Sequence, residues 1–227
     1  MSDQLGLFHR TVNTLGKAGV LNDLILIGSW CLYFYRIIFN DSDNIPLIRT
    51  VDLDFLLPNP PKITSNVDVS SLLNQLGFTE EYSLMGGFSK FIHPDLEVEF
   101  LIPEKGRGKD GPHRIEEINI NAQGLRYIGI LQDHTMKVPF GEFKVTIPEP
   151  SAFVIHKFHL STKRVDDAKR IKDIETAVEL GEFIISISEH NVKMRTILEG
   201  LPAKWVKDIK SVIENNSSKI YHSMYGE

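Results

Sequence analysis

The sequence predicts an α+β protein: a mixed β-sheet flanked by helices, followed by a helical C-terminal part. Three observations carry this expectation. Short apolar or alternating runs, bounded by Gly, Pro and polar clusters, recur through the first 148 residues, as strands do. Helically spaced apolar residues, first Leu5, Phe8, Val12 and Leu15, precede and interrupt them. Beyond residue 148 the strand-like runs stop, and from Pro150 the pattern is helical. Two domains are therefore expected, 1–148 with mixed α and β and 149–227 with helices alone.

The elements follow in order. Residues 4–19 form a helix, with Gly19 suited to end it. DLILIG (23–28) is a short buried strand, and SWCLYFYRIIF (29–39) follows without a turn cluster as a helix starting at Ser29. NDSDNIP (40–46) is a polar loop; residues 50–57 are a strand closed by PNPP (58–61). A helix over 69–76 stops at Gly77, and strands over 78–82 and 88–93 surround Gly86-Gly87. LEVEFLI (96–102) alternates strictly, as a half-buried strand does. EKGRGKDGPHR (104–114) is a loop, and MKVPFGEFKVTIP (136–148) a hairpin around Gly141. Helices are expected over 149–161, 166–180, 182–197 and 202–216, then a polar tail.

The 227 residues suffice to bury a sizeable core. A formal net charge of −5 excludes a generic nucleic-acid binder, so any such contact needs a local basic face. Cys31 is the single cysteine, which rules out an intramolecular disulfide and suits a reducing cytoplasm. MSDQLGLFHR lacks the layout of a signal peptide, and no apolar run approaches membrane-spanning length. A cytoplasmic protein without membrane partners is the expectation.

RTVDLDFLL (49–57) holds the first chemical signal. In a strand, residues two apart share a face, so Asp52 and Asp54 project together while Leu53 and Phe55 point to the core. Like charges this close repel unless a cation sits between them. A divalent metal resolves the conflict, and Mg²⁺ prefers such oxygen ligands while keeping substrate phosphates in its shell. LEVEFLI repeats the geometry with Glu97 and Glu99. If the two strands are neighbours, three carboxylates form a platform for phosphoryl chemistry; alternatively the two glutamates are the solvated face of an antiparallel strand. Upstream, Gly28-Ser29 sits at a strand-to-helix junction, where a glycine admits a phosphate and a helix start offers N–H groups. Taken alone, the same dipeptide also reads as a helix cap.

The order IGS (27–29), DLD (52–54), VEF (98–100) resembles the nucleotidyltransferase fold of the DNA polymerase beta-like enzymes. GSWCLYFY (28–35), TVDLD (50–54), VEFLIP (98–103), IPEPSAFVIHK (147–157) and AKRIKD (168–173) are more closely similar to one bacterial branch, the GSU2403-type nucleotidyltransferase-like proteins. The resemblance covers roughly residues 25–185. It implies a nucleotidyltransferase-like catalytic domain over 1–148 and a helical domain over 149–227 that covers the nucleotide. It also implies Gly28 and Ser29 as the phosphate-side motif, Asp52 and Asp54 as metal ligands, and Glu99 as the third acid where the family usually has Asp. Glu97 falls outside the motif. Lys157 is implied as a triphosphate contact, with Lys172 matching the later basic motif. The implied metal is Mg²⁺, or Mn²⁺ in its place. The implied substrate is an NTP such as ATP, and the acceptor is an unidentified hydroxyl of RNA or tRNA, a protein or a small molecule.

Other features have two readings each. Lys157, Lys163, Arg164, Lys169, Arg170 and Lys172 make the main basic cluster, either a phosphate-binding wall or a solvated helix face partnered by Asp166, Asp167 and Asp173. GRGKDG (106–111) fits a loop closing on substrate and also a plain connector. Arg49 either touches a phosphate or neutralises the acids beside it. His156 and His159, three apart on a helix, either ligate a metal or simply pack, and no Cys or acid stands nearby at zinc-like spacing. Three functions compete: an NMP-transferring enzyme, a catalytically inactive nucleotide-binding or scaffold protein of the same fold, and a metal-dependent phosphohydrolase.

Overall fold

The computed structural model describes residues 3–40, 43–46, 50–84, 86–104, 106, 108 and 111–226. Two compact units emerge, one of Met1–Cys31 with Ile48–Pro148 and one of Leu32–Leu47 with Glu149–Glu227. The chain first crosses between them within a helix, Cys31–Ile38.

The first unit is built on a mixed sheet. Its strands are β1 (Ile25–Ile27), β2 (Asp52–Leu56), β3 (Thr79–Tyr82), β4 (Ser89–His93), β5 (Leu96–Pro103), β6 (His113–Ile115), β7 (Ile120–Leu125), β8 (Thr135–Phe140) and β9 (Phe143–Pro148). The order is β3-β4-β5-β2-β1-β9-β8, with β7 beside the far end of β5 and β6 paired to β7. β2 runs parallel to β5 and antiparallel to β1, while β1 runs parallel to β9. Helices α1 (Gln4–Lys17), α3 (Val69–Gln75) and the short α4 (Gly129–Asp133) complete the unit, with α2 the Cys31–Ile38 helix.

Strand alternation sorts the side chains of β2 and β5. Leu53, Phe55, Val98 and Phe100 are fully buried. Phe55 stacks on Phe100 at 5.8 Å, and Phe91 of β4 meets Phe100 edge-on at 5.9 Å. α1 contributes Phe8, stacked on Trp30 at 4.0 Å and edge-on to Phe140 at 5.8 Å. Each such buried aromatic contributes roughly 1.5–3 kcal/mol by leaving water, so the face opposite the acids anchors β2 and β5 in register. α3 begins where Asp68 accepts a hydrogen bond from the amide of Ser71 at 3.0 Å.

The second unit is helical: α5 (Pro150–Ser161), α6 (Asp167–Ile184), α7 (Ser188–Glu199), α8 (Ala203–Asn216) and α9 (Ser218–Tyr225), joined by most of α2. Proline at the start of α5 suits a position whose N–H has no helical partner. α5 is buried almost all round and is the core of the unit, packed by α6, α7 and α8. From α2, Tyr35 meets Phe153 of α5 edge-on at 5.6 Å. No helix among the described residues is long and apolar enough to cross a membrane.

The sequence reading placed most elements within a few residues, with three corrections. Residues 115–135, left unassigned, contain β7, α4 and the end of β6, which begins at His113 inside the expected 104–114 loop. Ser29 does not open an α-helix: Gly28–Trp30 is a 3-10 turn, and α2 starts at Cys31. The expected polar tail is α9, capped by Ser217, whose hydroxyl accepts from the amide of Ile220 at 3.2 Å. Ile220 and Met224, one helical turn apart, are buried, and Gly181 in α6 leaves room for Ile220, whose Cδ1 would stand 2.7 Å from a Cβ there.

Candidate active site

The acidic face of the first unit forms where β2 and β5 run side by side. Their parallel register sets Asp52 opposite Glu97 and Asp54 opposite Glu99. Paired residues on neighbouring strands share a face, and the strands lie about 4.8 Å apart, so the four carboxylates crowd one side of the sheet. Asp52 is exposed and Asp54 half-buried. Thr50 braces the start of the strand: its hydroxyl accepts from the amide of Asp52 at 3.2 Å and lies 3.4 Å from Oδ2 of Asp52.

β1 contributes the other half. Its antiparallel register brings Ile27 opposite Asp54, so Gly28 follows directly beside that carboxylate. Gly28 has φ +73°, and a Cβ placed on it would stand 2.5 Å from Oδ2 of Asp54. Glycine is required there twice, by the left-handed backbone and by the approach of the acid. Gly28 and Ser29 are half-buried in the turn that leads into α2. Gly28, Ser29, Asp52, Asp54 and Glu99, selected from separate stretches of sequence, are thereby gathered on two adjacent strands, β2 and β5, and the turn that follows β1.

A cation the sequence reading missed sits on this face. Lys90 of β4 pairs with Glu99 in register, and its Nζ lies 2.9 Å from Oε1 of Glu99 and 2.5 Å from Oε2 of Glu97. Partial burial works against the Lys90 charge, but the hydrogen bonds and charges of the two glutamates win and raise its pKa. Glu97, outside the sequence motif, is thus tied to the site through Lys90. Period-two alternation in 88–93 puts Lys90 opposite in face to the buried Phe91, but only the pairing of β4 with β5 brings it onto the acids.

Among the described residues, no three His, Cys, Asp or Glu side chains converge closely enough to bind a metal in this arrangement. The donor chemistry nevertheless fits a hard divalent cation at Asp52 and Asp54: both are carboxylates on one strand face, one exposed and one half-buried, beside a glycine turn. Glu99 is held by Lys90 instead of pointing free.

Arg49 is outside the described residues. Lys157 and Lys172 belong to the second unit. Lys172 is exposed on α6. Lys157 is buried in α5, its Nζ 2.5 Å from Oδ1 of Asp173 and 5.6 Å from the ring centre of Phe153. His156 and His159 of the same helix are buried, and His159 stacks on Trp205 at 4.1 Å.

Comparison with known proteins bears on this arrangement. Residues 7–193 match a family model described as nucleotidyltransferase. No curated protein matches the chain. Among solved structures the chain is similar to the antibiotic-resistance factor ANT(2'')-Ia, with 12% identity, TM-score 0.41, and 99% of this chain and 98% of that one covered. It is also similar to an antigenic nucleotidyltransferase-like protein from Paracoccidioides brasiliensis, with 14% identity, TM-score 0.42, and coverage of 98% and 99%.

Proposed function

The chain belongs to the nucleotidyltransferase family whose model spans its residues 7–193, and from that premise we propose a divalent-metal-dependent transfer of NMP from an NTP to a hydroxyl acceptor. The observation that carries the proposal is the meeting of Gly28 with Asp54: a helix-leading glycine turn stands against one of two carboxylates that share a strand face. Phosphate beside the turn and cation on the carboxylates are complementary demands, and this pairing supplies both.

In this reading the NTP phosphates lie along Gly28 and Ser29, where the absent Cβ lets the backbone come close. Asp52 and Asp54 would hold Mg²⁺, or Mn²⁺ in its place. When bound, the ion neutralises phosphate charge and orients the α-phosphate. Glu99 receives the proton of the attacking hydroxyl or assists a second cation, with Lys90 fixing its carboxylate. The acceptor oxygen bonds to the α-phosphorus in line as the bond to the bridging oxygen breaks, and pyrophosphate leaves. Positioning and charge complementarity supply most of the acceleration. The catalytic work is assigned to a domain over 1–148, which a helical domain over 149–227 follows. GSWCLYFY, TVDLD and IPEPSAFVIHK support a place in the GSU2403-type branch. The acceptor class is a hydroxyl of RNA, protein or a small molecule.

The test uses each NTP labelled with ³²P at the α-phosphate, Mg²⁺ and cell lysate, beside an Asp52→Ala/Asp54→Ala control. Label transferred to an acceptor and lost in the control supports the proposal. Free labelled NMP without acceptor points to hydrolysis, and equal labelling by the control refutes the metal site.

A further inference from the structure

In the transfer proposed above, on which this inference rests, Glu99 either receives the acceptor's proton or assists a second cation. The residues that decide between these roles lie on β2, β4 and β5 of the first unit. Alternation along β5 puts Glu97 and Glu99 on the face that β2 gives to Asp52 and Asp54. The antiparallel pairing of β4 sets Lys90 directly opposite Glu99, with Ile92 opposite Glu97. Lys90 is therefore straight across from one glutamate and diagonal to the other, and a long side chain spans both positions. Its Nζ lies 2.9 Å from Oε1 of Glu99 and 2.5 Å from Oε2 of Glu97.

The ammonium thus fills the place between the two glutamates where a bridging metal ion would stand. A divalent ion on Glu99 would share that carboxylate with the ammonium. Mg²⁺ takes carboxylate oxygens at about 2.0–2.1 Å, and at that range from Lys90 like charges repel strongly in a partly covered site. β2 is arranged differently. Asp52 is exposed and its carboxylate meets the neutral hydroxyl of Thr50, while Asp54 stands against Gly28. Among the described residues no three acids converge as a metal site. The face is divided into a pair of aspartates and a pair of glutamates that already share a cation.

We propose that the Lys90 ammonium takes the place of a second metal ion on this face. The chain then binds one divalent cation, at Asp52 and Asp54, and Glu99 carries no metal. Glu97, outside the sequence motif, is the second anchor that holds Lys90 in position. The three-carboxylate platform expected from the sequence becomes an aspartate pair for one ion beside a glutamate pair neutralised by the protein's own cation. Of the two roles of Glu99, receiving the acceptor's proton is the one that remains.

The test counts the Mn²⁺ bound by the full chain, without nucleotide, from the loss of the free ion's electron paramagnetic resonance signal. The parent is expected to bind one equivalent and Lys90→Gln two. Lys90→Arg keeps the charge and is expected to bind one, whereas Asp52→Ala/Asp54→Ala is expected to bind none. Glu97→Gln is expected to keep the single equivalent, because Glu97 touches Lys90 and not the ion. Two equivalents or none on the parent would overturn the proposal. So would one on a folded Lys90→Gln, two on Lys90→Arg, or loss of the ion from Glu97→Gln. Circular dichroism checks the fold of each variant, and should Lys90→Gln not fold, the counts on the parent, Lys90→Arg and Glu97→Gln still decide. The two proposals fail separately. One equivalent on the parent and two on Lys90→Gln, without any NMP transfer, sinks the transfer reading alone. Transfer that depends on the aspartates, with two equivalents on the parent, sinks this one alone.

Discussion

Gly28 and Asp54 stand so close that a single added carbon on the glycine would lie 2.5 Å from the carboxylate oxygen. The antiparallel pairing of β1 with β2 enforces that approach. It joins a backbone turn suited to phosphate with a side chain suited to a divalent cation.

Gly28→Ala is therefore expected to damage both. The left-handed backbone, φ +73°, disfavours alanine by about 1–2 kcal/mol, and the methyl group displaces Asp54. A fall in NMP transfer of roughly tenfold or more is expected, with only a modest drop in the unfolding midpoint. Rate measurements paired with thermal unfolding check this; an alanine variant with parental rates would show that the close approach plays no part in transfer.

Lys90 tempers the acidic face, and its removal separates stability from metal binding. Lys90→Gln leaves Glu97 and Glu99 without their cation beside Asp52 and Asp54. Lys90 is 32% exposed and Glu97 and Glu99 are 27% and 22% exposed, so water screens both pairs and the stability lost is expected to stay under about 1 kcal/mol. Mg²⁺ affinity is expected to rise about threefold to tenfold, because an unbalanced carboxylate cluster favours a cation. Magnesium titration of the two proteins decides; unchanged or weaker binding contradicts a cation site on this face.

His156 makes the helical unit acid-sensitive. Burial, then the Lys157 charge, lowers its pKa from 6.5 to about 3, with His159 and Arg164 acting in the same direction and Asp173 opposing. As pH falls below 6.5 the unfolded chain takes up a proton that the folded protein refuses until about pH 3. The stability linked to this group is full above 6.5 and is lost through that window, by about 2 kcal/mol between roughly pH 7 and pH 5. His156→Leu is expected to flatten this limb, leaving the contribution of His159, whose pKa burial lowers to about 4. Urea unfolding at several pH values measures the slope; identical slopes in parent and variant would remove His156 as its source.

Much of the acidic site was legible beforehand because strand period is a local property. Alternation alone placed Asp52 with Asp54 and Glu97 with Glu99, and Leu53, Phe55, Val98 and Phe100 are buried as that alternation requires. The strand-to-helix passage at 25–38 was also readable, apart from the 3-10 turn Gly28–Trp30 that stands between the two. α9 was not. Its segment is mostly polar, and its helical form goes with the burial of Ile220 and Met224 among helices distant in sequence.

Local pattern thus determined which residues share a face and which stretches form strands or helices, since φ/ψ preference and side-chain period act over a few neighbours. Strand adjacency was decided only in the tertiary structure, by burial of the apolar face. That adjacency set Asp54 against Glu99, brought Lys90 onto both glutamates and fitted Gly28 against Asp54. Likewise the sequence supplied a row of cations between 157 and 172, but their division of labour came from packing. Helix α6 delivered Asp173 to α5, which turned Lys157 inward and left the outer edge of Arg164 to solvent.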